Sequence, residues 1–368
     1  MRAADLDLGR LRVLPLAERR SLTRADEILV DPDSEPAPCS EEAGALVESC
    51  ARAILDARRR GAGVMLIYGA HLLRNGAALI LERMMADDRI THLATNGAGT
   101  IHDWEYAWAG VSTEGVEENV ARGTFGTWQE TSASIHLALM AGALDGLGYG
   151  RALGRFIAED GAILPPADEL AGAIARDPRD PLTAARADLL HAMIGQGWPA
   201  GRTRLEHRWK RASILAQAYR HDVAMTVHPG IGYDIITNHP VFNGAAIGRA
   251  AGLDFRSFAG SVATLEGGVV LSIGSAIMGP QVFEKALSCV NNLRLQEGLG
   301  VVRDHSFYVV DLQDGGGWDW TRGEPPKSNP AYYLRFCKSY SRMGGTLHYL
   351  QSDNVTFIHH LHRRLGRP

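Results

Sequence analysis

The chain is organised around short apolar runs, each closed by glycine or another turn-forming residue. Val64-Met65-Leu66-Ile67-Tyr68 ends at Gly69, and residues 90–95 end at Asn96-Gly97-Ala98-Gly99. Residues 223–227 lead into His228-Pro229-Gly230, and residues 269–273 into Gly274-Ser275-Ala276. Residues 307–312 lead into Asp314-Gly315-Gly316-Gly317. Runs this short and this continuously apolar predict strands buried on both faces. Between them the spacing turns helical, over 41–60, 72–87, 129–148, 211–219 and 283–294. Ser40-Glu41-Glu42 supplies an N-cap and an acidic first turn for the first of these. Gly61 and Gly63 stop it after the basic run Arg58–Arg60. Strands alternating with helices predict an α/β fold with a parallel sheet covered on both faces. Ligands of such sheets bind at the carboxyl ends of the strands, where the glycine-rich turns fall.

Outside this alternation, residues 1–40 mix charges with prolines and read as an N-terminal arm. Residues 41–368 read as one α/β domain with a helical insertion at about 150–210 and a closing amphipathic stretch. No solenoid-type repeat is visible.

Composition narrows the classes. The 368 residues are 45% hydrophobic and 22% charged, the proportions of a globular chain. No apolar run reaches the roughly 18–20 residues of a membrane span, and the first thirty residues mix Arg, Asp and Glu, unlike a secretory leader. A net charge of −4 argues against a nucleic-acid partner. Cys39, Cys50, Cys289 and Cys337 form no CxxC pair, which points to a reducing cytoplasm and away from a zinc ribbon. Cys289 and Cys337 sit in apolar surroundings and are expected to be buried. Of the 38 Lys and Arg residues only Lys210, Lys285, Lys327 and Lys338 are lysines, so chemistry that needs an amine has few candidates.

Each turn carries two readings. Asn96-Gly97-Ala98-Gly99 would let backbone N–H groups approach an anion, or would simply turn the chain from strand to helix. His102 and Asp103 follow it, with no HExxH or HxH pairing to indicate a metal. Asp234 would bind a cation or a hydroxyl, or cap a helix. Gly274-Ser275 offers another close backbone approach. Lys338 lies among aromatics, where desolvation can make an amine nucleophilic, or where its stem merely snorkels. His359, His360 and His362 beside Arg363 and Arg364 read as a solvated helix face.

The order of these motifs resembles deoxyhypusine synthase, and more closely its bacterial deoxyhypusine synthase-like relatives, over roughly residues 40–365. Residues 67–76, 90–99, 229–235 and 271–280 resemble the family's successive strand-end turns. Leu334-Arg335-Phe336-Cys337-Lys338 resembles its "VSWGK" segment, and Ser352-Asp353-Asn354-Val355 its "ADAS" segment. The resemblance implies a Rossmann-like sheet, a homotetramer, NAD and a polyamine. It implies an aminobutyl group passed through a lysine, here Lys338, since arginine cannot supply the amine. It places Asn96, Gly97, Ala98, Gly99, His102, Asp103, Gly274, Ser275 and Asp353 along the cofactor. It places His71, His228, Asp234, Asp314 and Phe336 about the substrate. Four positions depart from the family. His102 replaces a ribose-binding glutamate, Gly279 the substrate histidine, Tyr332 an acidic residue and Phe336 a tryptophan. The expectation is therefore an NAD-dependent aminobutyl transferase acting on a polyamine or related amine. It would take a small-molecule amine, no metal, no nucleic acid and no membrane. The alternatives are a non-catalytic nucleotide- or amine-binding protein, and a hydrolase on this scaffold using His102, Asp103 and His228.

Overall fold

The structure, a computed structural model, describes residues 5–366. Their contacts divide the chain into two compact units. One holds the described residues of Met1–Glu27, Ile101–Ala216 and Pro229–Leu253. The other holds those of Ile28–Thr100, Gln217–His228 and Asp254–Pro368.

The second unit carries the sheet. Its strands are β1 (Val64–Tyr68), β2 (His92–Asn96), β3 (Ala224–His228), β4 (Val269–Ile273), β5 (Ser306–Asp311) and β6 (Thr346–Gln351). All pairings are parallel, in the order β6-β5-β4-β1-β2-β3. Read from the other edge this is 3-2-1-4-5-6, the order of a Rossmann fold. Every side chain of β1 and β4 is buried, as their uninterrupted apolar runs predict. Each fully buried aliphatic side chain contributes about 1.5–3 kcal/mol. The surrounding helices include α1 (Glu41–Arg59), α2 (Ala70–Arg74), α3 (Ala78–Ala86), α4 (Met278–Gln296), α5 (Arg335–Tyr340) and α6 (Asn354–Leu365). Ser40 caps α1 by accepting the Ala43 N–H at 3.1 Å. An aromatic core backs the sheet. The Phe283 and Phe307 rings lie 5.1 Å apart, and the Phe307 and Tyr340 rings 4.8 Å apart.

Several expectations need correcting here. The helix expected over 72–87 is two helices, α2 and α3, broken at Gly76. Gly76 has φ +88°, and a Cβ there would lie 1.8 Å from the Ile28 carbonyl oxygen. The closing amphipathic stretch contains the edge strand β6, whose half-covered residues hide the apolar signature. The C-terminal histidines are not a solvated face. His359 is buried, its Nε2 3.3 Å from the Pro32 carbonyl oxygen, and His360 Nε2 is 2.8 Å from that of Ala37. Cys337 is buried as expected, but Cys289 is exposed.

The first unit centres on the helix Gln129–Ala143, whose small and apolar residues are buried almost all round. Arg19 lays both guanidinium nitrogens on Glu105, at 2.7 and 2.8 Å, with both side chains out of solvent. Ser112 and Thr131 donate to the same carboxylate at 2.5 and 3.0 Å. Thr23–Arg24 pairs with Val111–Ser112 in a short antiparallel ladder. The segment read as a helical insertion does carry helices, Tyr149–Ala158, Ala167–Arg176 and Thr183–Gln196. It also carries an antiparallel pair, Gly161–Leu164 with Gly201–Arg204. Among the described residues no helix is long and apolar enough to cross a membrane.

Candidate functional site

In a sheet of this order the chain leaves β1 toward one edge and β4 toward the other. The crevice between their carboxyl ends is the topological switch point, where doubly wound sheets hold ligands. Here it is bounded by Gly69 and Gly274. The Gly69 N–H donates to the Ile273 carbonyl at 3.2 Å, and the Gly274 N–H to that of Val310 at 3.0 Å. A Cβ on Gly69 would stand 2.1 Å from the Gly274 oxygen. Gly274 has φ +60°, and a Cβ there would meet Asn354 Nδ2 at 2.6 Å. Both positions therefore require glycine. Asn354, the first residue of α6, is 3% exposed, and its Oδ1 finds no hydrogen-bond partner. Ser275 is buried, and its Oγ accepts the Gly279 N–H at 3.2 Å in the first turn of α4.

At the end of β2, Asn96 Oδ1 accepts the Gly99 N–H at 2.9 Å, which caps the helix Gly97–Ala109. Gly99 is needed for packing, since a Cβ there would lie 2.2 Å from Thr95 Oγ1. On α2, which follows β1, His71 is exposed. At the end of β3, His228 sets its ring edge-on to Phe258, centroids 5.2 Å apart, with Nε2 3.3 Å from Thr226 Oγ1. Burial pushes its pKa down to about 4, so it is neutral near pH 7.

Three expected site residues have their partners in the first unit. Asp103 is fully buried and committed to the backbone. It accepts the Ser213 hydroxyl and the Ile214 N–H, the latter at 2.7 Å, where the helix Ile214–Arg220 begins. Burial raises its pKa to about 7 against these bonds. His102 Nδ1 lies 2.7 Å from Ser112 Oγ. Asp234 is buried, with Oδ2 accepting the Gly230 N–H at 2.7 Å and Oδ1 unpartnered. Burial raises its pKa to about 6.

Lys338 lies on α5, in the second unit. Its Nζ stands 3.6 Å above the Tyr332 ring and 3.9 Å from Glu324. Its partners are these two residues, not the turns at Asn96 or Gly274. Phe336 is a core residue, packed on Tyr349 with centroids 6.0 Å apart. Asp353 caps α6, accepting the Thr356 N–H and hydroxyl at 2.8 and 2.9 Å. Asp314 lines a cavity of about 530 Å³ beside β6. The cavity presents Glu42, Asp314 and Asp319 together with Trp318, Trp320, His348 and Tyr349. Its described lining contains no lysine or arginine. The Trp320 indole N–H is buried without a partner. Among the described residues no group of three or more His, Cys, Asp or Glu side chains could hold a metal ion.

Sequence reasoning did not single out Gly69, Asn354 or the tryptophans of this cavity. Gly69 carried a signal, a glycine directly after a buried strand. Asn354 lay inside the segment resembling "ADAS", where only its neighbour Asp353 received a role, and the return of α6 to the switch point is what makes it notable.

No known family matches the sequence, and no curated protein matches it. Similar solved structures include AgrE. Unliganded AgrE has a TM-score of 0.44 and 14% identity, covering 89% of this chain and 33% of that one. The ternary complex of AgrE with ornithine and NAD+ has a TM-score of 0.41 and 14% identity, covering 89% and 34%. The chain thus spans about a third of the length of AgrE. A Methanococcus maripaludis S2 protein assigned as a conserved LOR/SDH protein has a TM-score of 0.42 and 13% identity, covering 91% and 73%. An Entamoeba histolytica protein assigned as a deoxyhypusine synthase has a TM-score of 0.30 and 9% identity, covering 74% and 80%. The assignment to a Rossmann-like fold rests on the strand order itself.

Proposed function

We propose that the protein is an NAD-dependent enzyme acting on an amine, with the dinucleotide seated at the switch point of the sheet. The observation that carries this reading is the 3-2-1-4-5-6 strand order with glycines facing each other at the ends of β1 and β4. The residues fit such a group. Gly69 and Gly274 add no side chain of their own to the crevice, and Asn354 places a buried acceptor with no donor beside Gly274. When bound, NAD would supply a hydride acceptor for the carbon that carries the amine nitrogen.

An amine substrate is supported by the cavity beside β6. Three carboxylates and the Trp318, Trp320 and Tyr349 rings suit an organic cation. The finer form of the reading is aminobutyl transfer from a polyamine, with Lys338 as the covalent amine and a homotetramer as the assembly. In that form Tyr332 and Glu324 would hold the Lys338 amine in place between turnovers.

The test is incubation with NAD and spermidine, followed by intact mass and NADH absorbance. NADH formation with an aminobutyl adduct lost in Lys338→Ala supports the full reading. NADH formation that survives Lys338→Ala leaves the dehydrogenase and removes the transfer. Thermal stabilisation by NAD without NADH formation from spermidine or ornithine would replace the enzyme by a binding protein.

A further inference from the structure

We infer that Asn354 recognises the ligand of the switch point, its Oδ1 accepting a hydrogen bond from a neutral donor on the dinucleotide, a ribose hydroxyl or the nicotinamide carboxamide. The inference rests on the dinucleotide reading and assigns a residue that the strand-end turns do not reveal. Four observations combine. Asn354 is 3% exposed, so water is a poor substitute for a protein partner. Its Oδ1 is nonetheless unpaired, which is uncommon for a buried amide oxygen. Its amide stands where a side chain at position 274 would be, since a Cβ on Gly274 would lie 2.6 Å from Nδ2. That position is the carboxyl end of β4, one wall of the switch point.

The local architecture holds the amide in place. Asp353 caps α6 through Thr356, so the first turn of the helix is fixed by its own bonds. Asn354 is not needed for that cap. An asparagine costs stability when its carbonyl oxygen is buried and unpaired, whereas an apolar side chain of similar size carries no such penalty. Its presence is accounted for by a donor that arrives with the ligand. An amide oxygen suits a neutral N–H or O–H and offers nothing to the phosphates, which present only acceptors.

The experiment is calorimetric titration of the full chain with NAD and, separately, with ADP-ribose, which keeps the ribose hydroxyls and lacks the carboxamide. It uses the wild type, Asn354→Leu, Asn354→Ala as a variant without added bulk, and Asn354→Asp, which keeps an acceptor. Circular dichroism and thermal melting of the unliganded proteins verify the fold. The expected result is roughly tenfold weaker NAD binding in the Leu and Ala variants, the loss of one neutral hydrogen bond. Asn354→Asp should bind more tightly than Ala, and the unliganded Leu variant should melt at or above the wild-type temperature. Equal weakening toward ADP-ribose excludes the carboxamide and leaves the donor on the shared portion, and weakening toward NAD alone assigns it to the carboxamide. Wild-type affinity in both the Leu and Ala variants overturns the inference and leaves the dinucleotide reading standing. A wild-type protein that binds neither compound overturns both.

Discussion

A side chain on Gly69 and the carbonyl oxygen of Gly274 cannot occupy the same crevice: a Cβ at the first would lie 2.1 Å from the second. The two glycines end β1 and β4, the strands between which the sheet changes direction. Gly69→Ala should therefore force the two strand ends apart. Overpacking of this kind costs about 1–3 kcal/mol. Thermal melting should show the loss, and NAD binding measured by titration should weaken with it.

The Arg19–Glu105 pair offers a test of the first unit. Both side chains are about 1% exposed. Arg19→Met should leave a buried carboxylate supported only by Ser112 and Thr131. Breaking a buried pair this way costs about 3–5 kcal/mol. Arg19→Met combined with Glu105→Leu should recover much of it. Urea denaturation of the single and double variants reads the difference.

Acid should destabilise the fold below about pH 6.5. Burial holds His92 at about pKa 3, and His136, His207, His228, His239 and His305 at about 4. Their ordinary value is 6.5, so the unfolded chain takes up protons first as the pH falls. Stability from these neutral rings is fully present above 6.5 and is lost as pH falls through the folded values. Asp103 at about 7 and Asp234 at about 6 act in the opposite sense. Their folded pKa values are raised, so they favour the native state as pH falls from 7 toward 4 and offset part of the loss. The histidines outnumber them. The urea midpoint should be lower at pH 5 than at pH 7.5, and a midpoint that rises would refute this balance.

Asp353 separates a structural role from a binding one. It caps α6, so Asp353→Ala should cost about 1 kcal/mol and Asp353→Ser should restore most of it. If Asp353 also holds a cofactor hydroxyl, the Ala variant should bind NAD more weakly than a cap defect of that size explains, and Ser should not restore the affinity.

The parallel sheet was legible because strands buried on both faces must be apolar throughout. The runs at 64–68 and 269–273 carry that demand in the sequence itself. The edge strand Thr346–Gln351 was not legible, because partial cover tolerates Thr, His, Tyr and Gln. The turns at Asn96 and Gly274 were correctly placed at strand ends. Several roles drawn from motif resemblance turned out to have local explanations. Asn96 caps its helix, Asp103 binds the Ser213–Ile214 turn, and Phe336 packs in the core.

From its own order of residues the chain determines which segments become buried strands, where glycine must end them, and how few amines are available. Those follow from period, side-chain volume and backbone freedom, all local properties. Only the tertiary structure decides that β1 and β4 are neighbours, that Lys338 lies between Glu324 and Tyr332, and that Asn354 returns to the switch point. The strand pairing and the Asn354 contact join residues far apart in sequence, while the Lys338 contacts depend on how the segment ahead of α5 folds back on it. The long-range contacts depend on the order in which strands pair and on where α6 packs, which local pattern leaves open.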